Sequence, residues 1–182
     1  EPRLGGGNLL DVPVEGLIEW IAKVRQKPPH DVIAMILDRP RHERLIARMR
    51  ARHIRLHLIR DGDITAGMLA LDPEHDVDLA IGIGAAPEGV ITAAIANAME
   101  GYMETRWWFA DDPQGEQQRE AVLASGMDID KVYRINDLAG GNVLFSLTAV
   151  TNNPFLPGVR YQQSGVAVTH TLSGRSRTRT MN

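Results

Sequence analysis

Residues 31–89 read DVIAMILDRPRHERLIARMRARHIRLHLIRDGDITAGMLALDPEHDVDLAIGIGAAPEG. Three apolar runs recur in this stretch, at 32–37, 54–59 and 77–83. Each ends in a polar or glycine-rich turn that leads into a segment with helical character. That rhythm predicts a parallel sheet with crossover helices. The first run has no polar alternation and is expected to be central, covered on both faces. Ligands of such sheets bind beyond the carboxyl ends of the strands. Those ends here carry Asp38-Arg39-Pro40-Arg41, Asp61-Gly62-Asp63, and a glycine turn running from Gly82 through Ala85 and Glu88 to Gly89. All three are expected on one rim.

The residue types on that rim suggest a chemistry. A guanidinium fork matches phosphate oxygens, and Pro40 between Arg39 and Arg41 would hold such a pair in place. The plainer alternative is a charged helix start. Asp61 and Asp63, two apart across a glycine, can accept hydroxyl hydrogens from one side of a polyol; alternatively Asp63 caps the apolar helix that follows. The later ligands of a calcium loop are absent. Glu88 either ligates a divalent cation or favours the dipole of the helix expected over 87–99. Gly82-Ile83-Gly84 with Gly89 is neither a dinucleotide fingerprint nor a Walker loop. The histidines have no zinc-site spacing; His42 stands within reach of a rim ligand, and for each histidine a structural role is the simpler reading.

Composition bounds the rest. The chain has 182 residues, 43% of them hydrophobic, enough for one ordinary core. A formal net charge of -3 provides no basic field for nucleic acid, and no run of about 18 apolar residues is present to span a bilayer. The absence of cysteine excludes disulfides and thiolate chemistry and suits a reducing, cytoplasmic setting. The chain opens on Glu1 rather than Met, so that a piece of a larger protein is to be weighed. Residues 1–10 read as a lead-in and 11–180 as a single α/β domain. Asp11 is expected to cap a first helix with Pro13 in its first turn, and 113–124 reads as a polar helix. Residues 132–135 read as a short strand and 137–141 as a turn. Strands at 143–150, 165–172 and 175–180 would extend the sheet as mixed or antiparallel edges. The Trp107-Trp108-Phe109 cluster reads as core or interface. Arg175, Arg177 and Arg179 would make one basic face, too small to argue for nucleic acid.

Taken together, ILDRPRHERLI (36–46), IRDGDITAG (59–67), VDLAIGIGAAPEGV (77–90), GNVLFSLTAVT (141–151), GVAVTHTL (165–172) and GRSRT (174–178) resemble, in order, the carboxy-terminal half of class II fructose-1,6-bisphosphatases, a family that includes dual fructose/sedoheptulose bisphosphatases. The resemblance implies metal-dependent hydrolysis of the 1-phosphate of a sugar bisphosphate, with Mg2+ or Mn2+. It implies that Arg39, Pro40 and Arg41 hold the distal phosphate, that Asp61, Gly62 and Asp63 bind the sugar, and that Ala85 stands where the family has a substrate-contacting glycine. Glu88 matches a divalent-metal ligand. Asn142 stands where the family often has Asp. No residue of the chain is assigned as catalytic. The family's amino-terminal half, which supplies most metal carboxylates, has no counterpart here. The implied partners are therefore a sugar bisphosphate, the missing half as a separate chain or removed segment, and further copies in a homo-oligomer of the complete enzyme. The alternatives are a non-catalytic sugar-phosphate-binding or regulatory module, and a structural half-protein.

Overall fold

The computed structural model describes residues 7–176. Helix α1 (Val14–Arg25) presents Leu17, Ile18 and Ile21 at helical spacing, and these are buried. Strand β1 (Ile33–Leu37) follows, then a 3-10 turn over Pro40–His42 that runs into α2 (Glu43–Ala51). Helix α2 ends in a left-handed His53: its N–H reaches the Arg50 carbonyl, and the Ile54 N–H reaches the Met49 carbonyl. This paired closure satisfies two terminal carbonyls and turns the chain directly into β2 (Arg55–Ile59). Helix α3 (Asp63–Leu71), β3 (Leu79–Ala80) and α4 (Ala86–Ala98) complete the first half.

The three strands lie parallel in the order β2-β1-β3, with Ile33 opposite Arg55 and Ala34 opposite Leu79. Strand β1 is central, as its unbroken apolar run predicts. Val32, Ala34 and Met49 pack with the buried face of α1 on one side. On the other, Met35 packs with Ala66 and Leu69 of α3. The sheet is thus covered on both faces, which leaves the ends of its strands as the places where polar side chains can gather.

The third strand is shorter than its apolar run, 77–83, suggests. Asp78 interrupts that run. Its buried carboxylate accepts the Ile33 N–H at 2.8 Å and pairs with Lys27 at 2.5 Å and Arg25 at 3.5 Å. Ile83 leaves the ladder because side chains from the β1 turn hold its amide and its carbonyl.

The chain continues through β4 (Glu104–Thr105), α5 (Pro113–Ala124), β5 (Tyr133–Arg134) and α6 (Ile135–Ala139). Asp112 caps α5 by accepting the Gly115 N–H at 2.7 Å. The turn expected over 137–141 is replaced by α6, because the Asp137 carboxylate accepts the Arg134 N–H and draws the chain into a helical turn. Asp11 does not cap α1. It ends a 3-10 turn over Leu9–Asp11, binds Asn8 and Arg106, and leaves Pro13 as the residue before the helix.

The last strands form ladders of their own instead of extending the parallel sheet. β6 (Leu144–Thr148) pairs antiparallel with β9 (Thr171–Arg175), and β7 (Arg160–Tyr161) with β8 (Ala167–Val168). The β6–β9 ladder alternates exposed and half-buried residues, and α4 packs against it. The whole is a mixed α/β fold with a parallel core sheet and later antiparallel strands. The expected positions 1–6, and Arg177, Arg179 and the rest of 177–180, lie outside the described residues.

Candidate functional site

The parallel order of the core sheet carries Asp38–Arg41, Asp61–Asp63 and the 81–88 segment beyond the carboxyl ends of the strands. Backbone bonds and side chains then stitch these segments together. The Asp38 N–H donates to the Ile59 carbonyl at 2.8 Å, holding the ends of β1 and β2 together. Across the β1–β3 side, Arg41 and His42 grip one residue. Arg41 Nε donates to the Ile83 carbonyl at 2.9 Å, and the Ile83 N–H donates to His42 Nε2 at 2.7 Å.

His42 is fully buried, and its other ring nitrogen, Nδ1, lies 2.8 Å from the Leu37 carbonyl. A carbonyl can only accept, so Nδ1 carries the proton and Nε2 is the acceptor. The ring is therefore the neutral Nδ1–H tautomer. A structural role is the simpler expectation for each histidine, and His42 has one. It is a positioning residue, which fixes the glycine turn relative to β1. The signal available in the sequence was its place next to Arg41 just beyond a strand end, but burial could not be read from that.

The glycines of the turn are spaces for these side chains. A Cβ built on Gly82 would stand 3.2 Å from His42 Nε2, and one on Gly84 only 2.7 Å from Asp63 Oδ2. Gly84 thus brings the third segment in: the Asp63 carboxylate lies against the turn, while its Oδ1 accepts the Ile64 N–H at 3.0 Å. Gly62, at φ 86°, starts α3 in a left-handed conformation that a side chain would strain. Asp61 is exposed beside it.

Arg39 is exposed, and its guanidinium has no partner among the described residues. Arg41 uses Nε on Ile83, which aims its two terminal nitrogens away from that bond. The structure thus gathers Arg41, Asp63 and the Gly82–Gly84 turn into contact and leaves Arg39 and Asp61 on the exposed rim beside them. Ala85 precedes α4 in extended conformation and is exposed. Glu88 sits in the first turn of α4. Its backbone carbonyl accepts the Thr92 hydroxyl, while its side-chain Oε2 is buried without a hydrogen-bond partner among the described residues.

An unpartnered buried carboxylate oxygen fits a metal ligand, because burying it without a partner is costly. Divalent Mg2+ and Mn2+ require several oxygen ligands, however. No three His, Asp or Glu residues among the described ones are grouped so as to hold a metal ion. The Glu88 carboxylate by itself does not make up such a set. In the Trp107-Trp108-Phe109 cluster, Trp107 and Phe109 stack at 6.1 Å between centroids, whereas Trp108 is half exposed and not part of a core.

The family model described as bacterial fructose-1,6-bisphosphatase, glpX-encoded, matches residues 2–182. The chain is 35% identical to the fructose-1,6-bisphosphatase 1 class 2 of Escherichia coli (strain K12), over 94% of this chain and 54% of that protein. The class 2 enzyme of Shigella flexneri matches to the same extent. The chain spans about half the length of these curated relatives.

Proposed function

This chain belongs to the bacterial glpX-encoded fructose-1,6-bisphosphatase family, and we propose from that premise that it is the carboxy-terminal portion of a metal-dependent sugar bisphosphatase. In this reading the complete enzyme hydrolyses the 1-phosphate of fructose 1,6-bisphosphate, with sedoheptulose 1,7-bisphosphate as a further substrate. Arg39 and Arg41, held apart by Pro40, bind the distal phosphate. Asp61 and Asp63, set by Gly62, accept the sugar hydroxyls, and Ala85 lines the sugar. Glu88 contributes one ligand to Mg2+ or Mn2+, which supplies polarisation of the reacting phosphoryl group. The remaining carboxylates come from the half that this chain does not carry.

The observation that supports this reading most is the stitched rim. Arg41 and His42 hold Ile83, and Asp63 lies against Gly84, so that a basic element, an acidic element and a glycine turn are fixed at one end of a rigid sheet. A sugar phosphate needs those three features: a guanidinium for its charge, carboxylates for its hydroxyls, and close-lying backbone. The test is phosphate release from fructose 1,6-bisphosphate. The chain alone should release none with either metal, and the chain joined to the missing half should release phosphate. Turnover by the pure chain alone, lost in Glu88→Gln, would overturn this division of the site.

A second reading is supported by the lack of a three-residue metal group among the described residues. On it, the chain is a non-catalytic sugar-phosphate-binding module. Calorimetric titration of the isolated chain with fructose 6-phosphate separates the two. Binding that persists when the missing half is supplied, with no turnover, favours the module.

A further inference from the structure

Helix α4 has the sequence APEGVITAAIANA, with Glu88 as its one charged residue. Its other polar side chains, Thr92 and Asn97, bond to the Glu88 and Ala139 carbonyls, so the rest of its surface is apolar and suited to burial. The structure covers only part of it. Ala93 and Ala96 are fully buried and Ile95 nearly so, packed among α3, α6 and the β6–β9 ladder. On the α3 side the approach is so close that a Cβ on Gly67 would stand 2.7 Å from Thr92 Cγ2. Yet Pro87, Val90 and Ile91, which share a face at helical spacing, are exposed, Val90 by 43% and Ile91 by 48%.

Glu88 borders this bare face, three residues before Ile91, and its buried Oε2 has no hydrogen-bond partner among the described residues. A segment that completes the surroundings of Glu88 from this side passes beside Val90 and Ile91. We infer that the Pro87–Val90–Ile91 face of α4 is the docking surface for the half of the enzyme this chain does not carry. The inference rests on the proposed function. Its occupant presents apolar side chains to this face. The relatives are long enough to contain such an occupant, since the chain covers 54% of their length.

The probe is the segment of the E. coli relative that this chain does not cover, used both as a separate polypeptide and fused ahead of this chain. The fusion serves where the separate segment does not fold. A photo-crosslinking side chain is placed at position 91 and, as a control, at Val24, which is 58% exposed on α1. Position 91 should crosslink to the added segment and position 24 should not. Ile91→Glu should weaken the two-chain complex about tenfold or more, while Val24→Glu leaves it within about twofold. Equal crosslinking at both positions, crosslinking of 91 only to a second copy of this chain, or no crosslink in either format would overturn the inference. Phosphate release measured on the same samples separates the two claims. A crosslink at 91 without turnover leaves the surface standing and overturns the enzymatic reading; turnover without that crosslink does the reverse.

Discussion

The Ile83 N–H donates to His42 Nε2 at 2.7 Å, and this bond joins the turn after β1 to the turn after β3. The imidazole is fully buried and also meets the Leu37 carbonyl, so one side chain satisfies two backbone groups at the rim. The positions of Arg41 and Gly84 depend on it, because both are fixed relative to Ile83.

Replacing His42 with Ala should therefore destabilise the fold by about 2–4 kcal/mol, through the cavity it leaves and the unsatisfied Ile83 N–H and Leu37 carbonyl. Urea unfolding of both proteins checks this. A loss below about 0.5 kcal/mol would show that the bridge is dispensable.

Gly84→Ala tests the close approach of Asp63. The added methyl would meet Asp63 Oδ2 at 2.7 Å, so the carboxylate must turn away. In the complete enzyme KM for the sugar bisphosphate should rise severalfold while the thermal midpoint moves little, because the clash is with one half-buried side chain. An unchanged KM would separate Asp63 from substrate binding.

Acid should loosen the contact between α1 and α2. Glu15 and Arg48 pair across these helices with two hydrogen bonds, and the guanidinium lowers the Glu15 carboxyl from the ordinary 4.5 to about 2. A carboxylate with a depressed folded-state pKa stabilises the fold fully above its unfolded value. That contribution is lost as pH falls from about 4.5 through about 2. Glu15→Gln should flatten the stability profile over this window and leave its shape above pH 6 unchanged. The effect should shrink in high salt, because the pair is at the surface. Urea midpoints measured from pH 2 to 7 in both proteins would show it; parallel profiles would contradict it.

The core was legible in the sequence because three apolar runs and their turns state both the strands and the direction of their ends. Central β1 follows from a run without alternation, and the place of Arg39, Arg41, Asp61, Asp63 and Glu88 beyond the strand ends follows from the parallel order. What could not be read was tertiary in origin. The third ladder is short because Arg41 and His42, from far earlier in the sequence, hold the Ile83 carbonyl and amide. His42 is polar by type and buried by circumstance. The antiparallel ladders at the end of the chain have local alternation that fixes their strands but not their neighbours. The exposed face of α4 was hidden by a sequence that looks uniformly buried.

The division of roles on the rim is the central claim, and steady-state kinetics of the complete enzyme tests it most directly. Arg39→Ala is the cleaner probe of the distal phosphate, because Arg41 also holds Ile83 and its loss would disturb the turn. Arg39→Ala should raise KM about tenfold with kcat within a few-fold, since the distal phosphate does not change charge during reaction. Glu88→Gln should lower kcat by about a hundredfold or more at saturating metal, with a smaller change in KM. Asp61→Asn should fall between them. The reverse pattern, with kcat lost in Arg39→Ala and only KM raised in Glu88→Gln, would contradict the account by assigning the two ends of the substrate the wrong way round.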